Sequence, residues 1–209
     1  NTGNAVQGNA SQNWYLENHG TIDSTGTTGN SGVLLNSLDQ NTSRVDNYGS
    51  ITSSGTTGSS ASGIRFQKGG LVYNYAGGFI SGFDGVHTDG GSILVDNSGT
   101  IQATTSGIYS GQGALIYNRV GAVISGGTYG IHSNGSLNFH IYNSGTISSP
   151  SKAVGLENGG LYSLYNTSDG VITGGNRAVF FDGAGGQILN EGLLQSTNVN
   201  DIVVESHGD

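Results

Sequence analysis

The 209-residue chain predicts an all-β fold, a right-handed parallel β-helix of about eight three-stranded rungs, each of ~24 residues. Two observations carry this. Eight asparagines (Asn18, Asn47, Asn74, Asn97, Asn118, Asn143, Asn166 and Asn190) recur 21 to 29 residues apart, with a mean of about 24.6. Around each, the same apolar positions return: an aliphatic two residues before (Leu16, Val45, Val72, Val95, Ile116, Ile141, Leu164, Ile188) and a branched aliphatic four or six after (Ile22, Ile51, Ile80, Ile101, Ile124, Ile147, Ile172, Leu194). The stretch Ile141-Tyr142-Asn143-Ser144-Gly145-Thr146-Ile147 is the unit at its plainest.

Each repeat divides into three strands of three to five residues. The first carries the aliphatic before the asparagine, and the second follows the Asn-x-Gly turn. The third is announced by a small residue and an aliphatic: Gly32-Val33, Gly63-Ile64, Gly85-Val86, Gly107-Ile108, Gly130-Ile131, Ala153-Val154, Ala178-Val179 and, for the last repeat, Asp201-Ile202. Apolar and polar residues alternate along these segments, as a half-buried strand requires. No window has a helical period. Residues 1–13 are polar and read as a partial rung or a cut end, and the rungs occupy 14–204 of a single β-helix domain.

Stacking strands at about 4.8 Å turns each aliphatic position into an interior column. Asparagine at a fixed turn position can bond the asparagines above and below, where stacked carboxylates would repel. The glycine that follows is expected to provide positive φ. The longer spacings before the second aliphatic differ by two residues, which preserves the inward and outward parity of the strand. Gly-Thr-Thr-Gly loops within residues 24–29 and 54–58 lengthen the first two repeats.

Composition narrows the function. Glycine contributes 39 residues, charged residues 10% and proline one, so turns fall to glycine and asparagine rather than to proline. Such a composition can signal disorder, but the aliphatics stay in register. Net charge is −8, and the six basic residues are scattered, which argues against nucleic acid and anionic membrane surfaces as partners. No apolar run is long enough for a transmembrane helix and no signal peptide is visible. The chain starts at Asn1 and ends just after the last strand, which leads us to expect a piece of a longer protein.

The repeated Asn-Ser-Gly-Thr-Ile with Gly-Ile or Gly-Val strands between resembles the passenger region of bacterial autotransporters of the AIDA/pertactin-like adhesin type, over residues 14–204. The resemblance implies a β-helix at the surface of a Gram-negative bacterium, extracellular, attached to the outer membrane only through a C-terminal translocator that lies outside this sequence. The cysteine-free, acidic chain suits passage through an export pore.

Candidate sites were weighed column by column. His87 and Asp89 share an outward face, with Tyr109 and His132 on the next two rungs in the same column and Arg65 before. Two rungs, roughly 10 Å, separate the histidines too far for one metal. A solvated strand face is the plain reading and a ligand-contact stripe the functional one. Tyr117, Tyr142 and Tyr165 form an outward aromatic strip suited to sugars or a protein partner, or simply good cross-strand stackers. Glu17, Asp46 and Asp96 share a column with no basic residue, which is poor support for a polysaccharide-cleaving enzyme. Gly29-Asn30-Ser31-Gly32 resembles a serine-protease motif, and Phe181 to Gly186 and Thr88 to Gly91 resemble pieces of a calcium-binding repeat. Turn chemistry accounts for all three. The outward Thr21, Ser50, Phe79, Thr100 column is too irregular for ice binding.

The expectation is therefore a non-enzymatic adhesive rod without metal or cofactor. It binds a host cell-surface or matrix protein or glycan through Tyr117, Tyr142, Tyr165, His87, Tyr109 and His132. The alternatives are association with another copy of itself or, less well supported, a polysaccharide-acting enzyme.

Overall fold

The computed structural model describes residues 3–26, 29–39, 42–56, 58–158, 160–183, 185–198 and 203–207. Parallel strands wind into a β-solenoid of three faces, one an eight-stranded sheet and the other two, called the second and third sheets below, joined in one fifteen-stranded sheet. The first holds eight strands: Tyr15–Asn18, Arg44–Asn47, Gly70–Asn74, Ile93–Asn97, Ala114–Asn118, Phe139–Asn143, Tyr162–Asn166 and Gly186–Asn190. Its register pairs like with like, Val72 with Val95, Ile116 with Ile141, and asparagine with asparagine throughout. The second sheet stacks Ile51, Ile80, Ile101, Ile124, Ile147, Ile172 and Leu194. The third stacks Val33, Ile64, Val86, Ile108, Ile131, Val154 and Val179.

These columns are the core. Isoleucines from Ile51 to Ile172 are fully buried. Each such side chain withdrawn from water contributes about 1.5–3 kcal/mol. The small residue before each third-strand aliphatic has a packing cause. A Cβ on Gly85 would lie 2.5 Å from Ile101 Cγ2 and 2.6 Å from the Gly107 carbonyl, so the corner between the second and third sheets admits only glycine or a buried alanine.

The asparagine ladder forms as the spacing suggests. Each Nδ2 donates to the Oδ1 of the next asparagine, in seven bonds of 2.7–2.9 Å from Asn18 to Asn190. The same amides also donate to turn carbonyls, as Asn143 does to Gly145 at 3.1 Å. Carboxylates there could not donate upward.

The structure corrects the reading in several places. The glycine of the Asn-x-Gly turns is not kept by positive φ, which among the asparagine turns occurs only in the longer ones, at Gly77 and Gly121. It is kept by stacking: a Cβ on Gly145 would sit 2.4 Å from the carbonyl oxygens of Ala122 and Arg119. Strands are not all short. Phe79–Thr88 and Thr100–Ser110 run unbroken through the second and third sheets. Residues Val6–Gly8 form a strand paired with Val33–Leu35, an extra third-sheet strand within the segment that lacked the repeat. In the last repeat Val204, not Ile202, stands opposite Val179. Ile202 itself, and Thr27, Thr28 and Thr57 of the two long loops, lie outside the described residues.

Candidate functional site

The unbroken strands create a hollow on the surface of the second and third sheets. Between Gly82↔Ala103 and Asp84↔Ser106 the register shifts, so Thr104 and Thr105 oppose the single residue Phe83. This bulge tilts the strand and opens the surface beside it. The cavity is about 440 Å³, lined by Phe83, Asp84, His87, Asp89, Thr105, Ser106, Tyr109, Tyr129 and His132. Two adjacent outward columns form it. One runs Arg65, His87, Tyr109, His132, Gly155, Phe180 and the other Asp84, Ser106, Tyr129, Lys152. Gly155 leaves room for its neighbour, since a Cβ there would lie 2.6 Å from the Tyr129 ring. Tyr129 instead lies flat on His132, centroids 4.0 Å apart and planes at 5°. Tyr109 stacks on His87 at 4.5 Å and meets His132 by its edge at 5.2 Å.

Charge in the cavity is organised in two closed groups. Asp84 accepts from the Ser106 amide at 3.0 Å through Oδ1, and its Oδ2 is 2.9 Å from His87 Nδ1. His87 Nε2 meets Asp89 Oδ1 at 3.2 Å, and Arg65 forks onto both Asp89 oxygens at 2.9 Å. Across the cleft, Lys152 and the Tyr129 hydroxyl both donate to Glu157 Oε1. Burial works against a charged His87, but hydrogen bonds and the charges of Asp84 and Asp89 outweigh it and raise its pKa. Burial of Asp89 is likewise overcome, by bonds from His87 and Arg65, and its pKa falls. His132 goes the other way. Burial dominates and lowers its pKa, so it stays neutral near pH 7. Its Nε2 is 3.8 Å from Glu157 Oε2, beyond hydrogen-bonding reach, and has no partner.

The sequence places His87, Tyr109 and His132 together correctly, but a solvated strand face is overturned: His87 is only 5% exposed. Asp84 and Tyr129 were missed as site residues. Asp84 was visible three residues before His87, whereas Tyr129 enters only through the geometry of the corner.

The tyrosine strip exists in register. Only one of its two ring pairs is stacked face to face, and Tyr142 remains 40% exposed. Tyr117 and Tyr142 stack at 5.1 Å and 17°, with the Arg119 guanidinium 4.7 Å from the Tyr117 ring. Tyr142 meets Tyr165 edge-on at 6.5 Å, and the Tyr165 hydroxyl donates to Glu191. The column of Glu17, Asp46 and Asp96 does acquire basic partners, contrary to expectation, because Arg44 forks onto Asp46 and Arg119 onto Asp96. An unforeseen pile of His19, Tyr48 and Tyr75 stacks at 4.6 and 4.1 Å beside them.

The motif-like stretches are structural. Ser31 is 1% exposed, with Oγ donating to the Ser60 carbonyl. Thr88 donates to the Gly90 carbonyl within its turn. Ala184, in the second calcium-like stretch, lies outside the described residues. No group of His, Asp and Glu among the described residues is placed to hold a metal ion, and no helix among them is long and apolar enough to cross a membrane. Comparison with known protein families, with characterised proteins and with solved structures finds no match.

Proposed function

We propose that the chain is a rigid adhesive rod of the extracellular passenger type that attaches to glycans at a cell surface through the cleft at His87, Tyr109, Tyr129 and His132. The observation that carries this is the cleft itself. Aromatic rings and polar groups converge in a partly desolvated hollow of ligand size. Aromatic rings present apolar faces to sugar C–H groups while hydroxyls and imidazoles take the sugar's hydrogen bonds. Catalysis is disfavoured by the same geometry, because both Asp84 oxygens and both Asp89 oxygens are already engaged. The test is attachment of protein-coated beads to epithelial cells before and after periodate oxidation of surface sugars. Loss of attachment after oxidation, and in Tyr109→Ser, supports the reading. Undiminished attachment sinks it.

Self-association is a second reading with its own observation. Leu71, Leu94 and Leu115 stack on the outer face of the first sheet, and hollows lined by Leu94, Leu115, His140 and Leu161 carry no Asp, Glu, Lys or Arg. On an acidic rod this is where two copies approach with least repulsion. Bead–bead clumping without cells, lost in Leu94→Asp, would favour it.

A further inference from the structure

We infer that the cleft selects an uncharged sugar residue, read by the Tyr109 hydroxyl and walled by the rings of Tyr109 and Tyr129; this rests on the cleft being a glycan site. Every formal charge at its rim is already matched: Asp84 and Asp89 enclose His87, Arg65 forks onto Asp89, and Lys152 is bound to Glu157. A sulfate, carboxylate or ammonium on the ligand would have to break one of these pairs, leaving its other member buried without compensation, or lie against a like charge.

The groups that remain are neutral. Burial lowers the His132 pKa, and its Nε2 is enclosed 3.8 Å from Glu157 Oε2, so the ring adds no charge to the cavity. Burial, helped by the charges of Asp84 and Asp89, raises the Tyr109 pKa, so its hydroxyl keeps its proton. No hydrogen bond from that hydroxyl to a described residue competes with a ligand. The phenol can donate to or accept from a sugar hydroxyl, so it serves a neutral ligand without a change of charge. The rings of Tyr109 and Tyr129, fixed by their stacking on His87 and His132, provide the apolar wall. The volume lies toward the lower end of ligand cavities, about 300–1,000 Å³. It suits a short saccharide segment rather than a folded partner.

The experiment is retention of the purified protein on an immobilised glycan panel. The panel sets neutral hexose and N-acetylhexosamine oligosaccharides beside sialylated, sulfated and uronate-containing ones. Tyr109→Phe removes only the hydroxyl and preserves stacking, whereas His132→Phe sets a larger, nitrogen-free ring against Tyr129 and reports on packing; thermal unfolding checks that each folds. The expected result is retention of neutral glycans, weakened about three- to tenfold by Tyr109→Phe. Retention should change little between about 0.05 and 0.5 M salt, because no net ion pair is formed. Preferential retention of charged glycans that Tyr109→Ser abolishes would overturn the selectivity and leave the site standing. Failure to retain any glycan, or retention indifferent to Tyr109→Ser, would overturn both.

Discussion

Replacing Asn143 by leucine tests the ladder that fixes the three-sheet geometry. Asn143 Nδ2 donates to Asn166 Oδ1 at 2.7 Å and to the Gly145 carbonyl at 3.1 Å, while its Oδ1 accepts from Asn118 at 2.8 Å. Leucine removes all three bonds at a fully buried position. Asn118 keeps an alternative acceptor in the Thr146 carbonyl at 3.1 Å. Asn166 Oδ1 is left without its donor. One orphaned buried acceptor costs about 1–3 kcal/mol, and the other lost bonds about 0.5–1.5 kcal/mol each, so the variant should lose about 3–5 kcal/mol in urea unfolding. A loss below about 0.5 kcal/mol, the range of a surface substitution, would refute the reasoning. Asn143→Asp refines the test. Its second oxygen would face Asn166 Oδ1 and the turn carbonyls, so burial and repulsion raise its folded-state pKa above the unfolded value of about 3.9. The variant should therefore approach wild-type stability below that value and lose it as pH rises through the folded-state pKa.

Ile147→Asp buries a carboxylate between Ile124 and Ile172, and should cost about 4 kcal/mol or more by the same urea titration. Gly121, with φ of 76° and open space around its Cβ position, should accept asparagine within about 1 kcal/mol. Gly145→Asn, which drives a Cβ into two carbonyls, should cost about 1–3 kcal/mol; equal melting of the two variants would contradict the stacking argument. His87 has a raised folded-state pKa, so the stability it adds is complete below the unfolded value of about 6.5 and fades as pH rises through the folded value. The difference in melting temperature between wild type and His87→Gln should shrink over that window, and a constant difference would count against the Asp84–His87–Asp89 arrangement.

Columns were legible in the sequence because each requirement repeats eight times. Asparagine must both donate and accept along the axis, the three aliphatics must point inward, and the corner residue must be small. Single events were harder to see. Ala5-Val6 has the small-plus-aliphatic signature of a third strand, yet without a first and second strand before it the pattern was too short to stand out. In the last repeat the signature residues pointed to Ile202 where Val204 takes the register, since Val203 carries the carbonyl that receives the Val179 amide. The cleft was half legible. A column argument puts His87, Tyr109 and His132 in line, but their burial depends on Tyr129 crossing from the neighbouring column and on a bulge at Thr104 and Thr105. Neither leaves a periodic trace. The tyrosine strip lies in the expected column, but a one-dimensional reading could not see that Tyr117 stacks on Tyr142 while Tyr165 meets it by its edge.

The most direct test of the cleft is an NMR titration of the protein with a neutral oligosaccharide retained from the panel, following the imidazole nitrogens and the tyrosine ring protons together. The account predicts saturable shifts at His132, Tyr109 and Tyr129 and none at Tyr117, Tyr142 or Tyr165. Shifts confined to the tyrosine strip, with the His132 nitrogens unmoved, would contradict it.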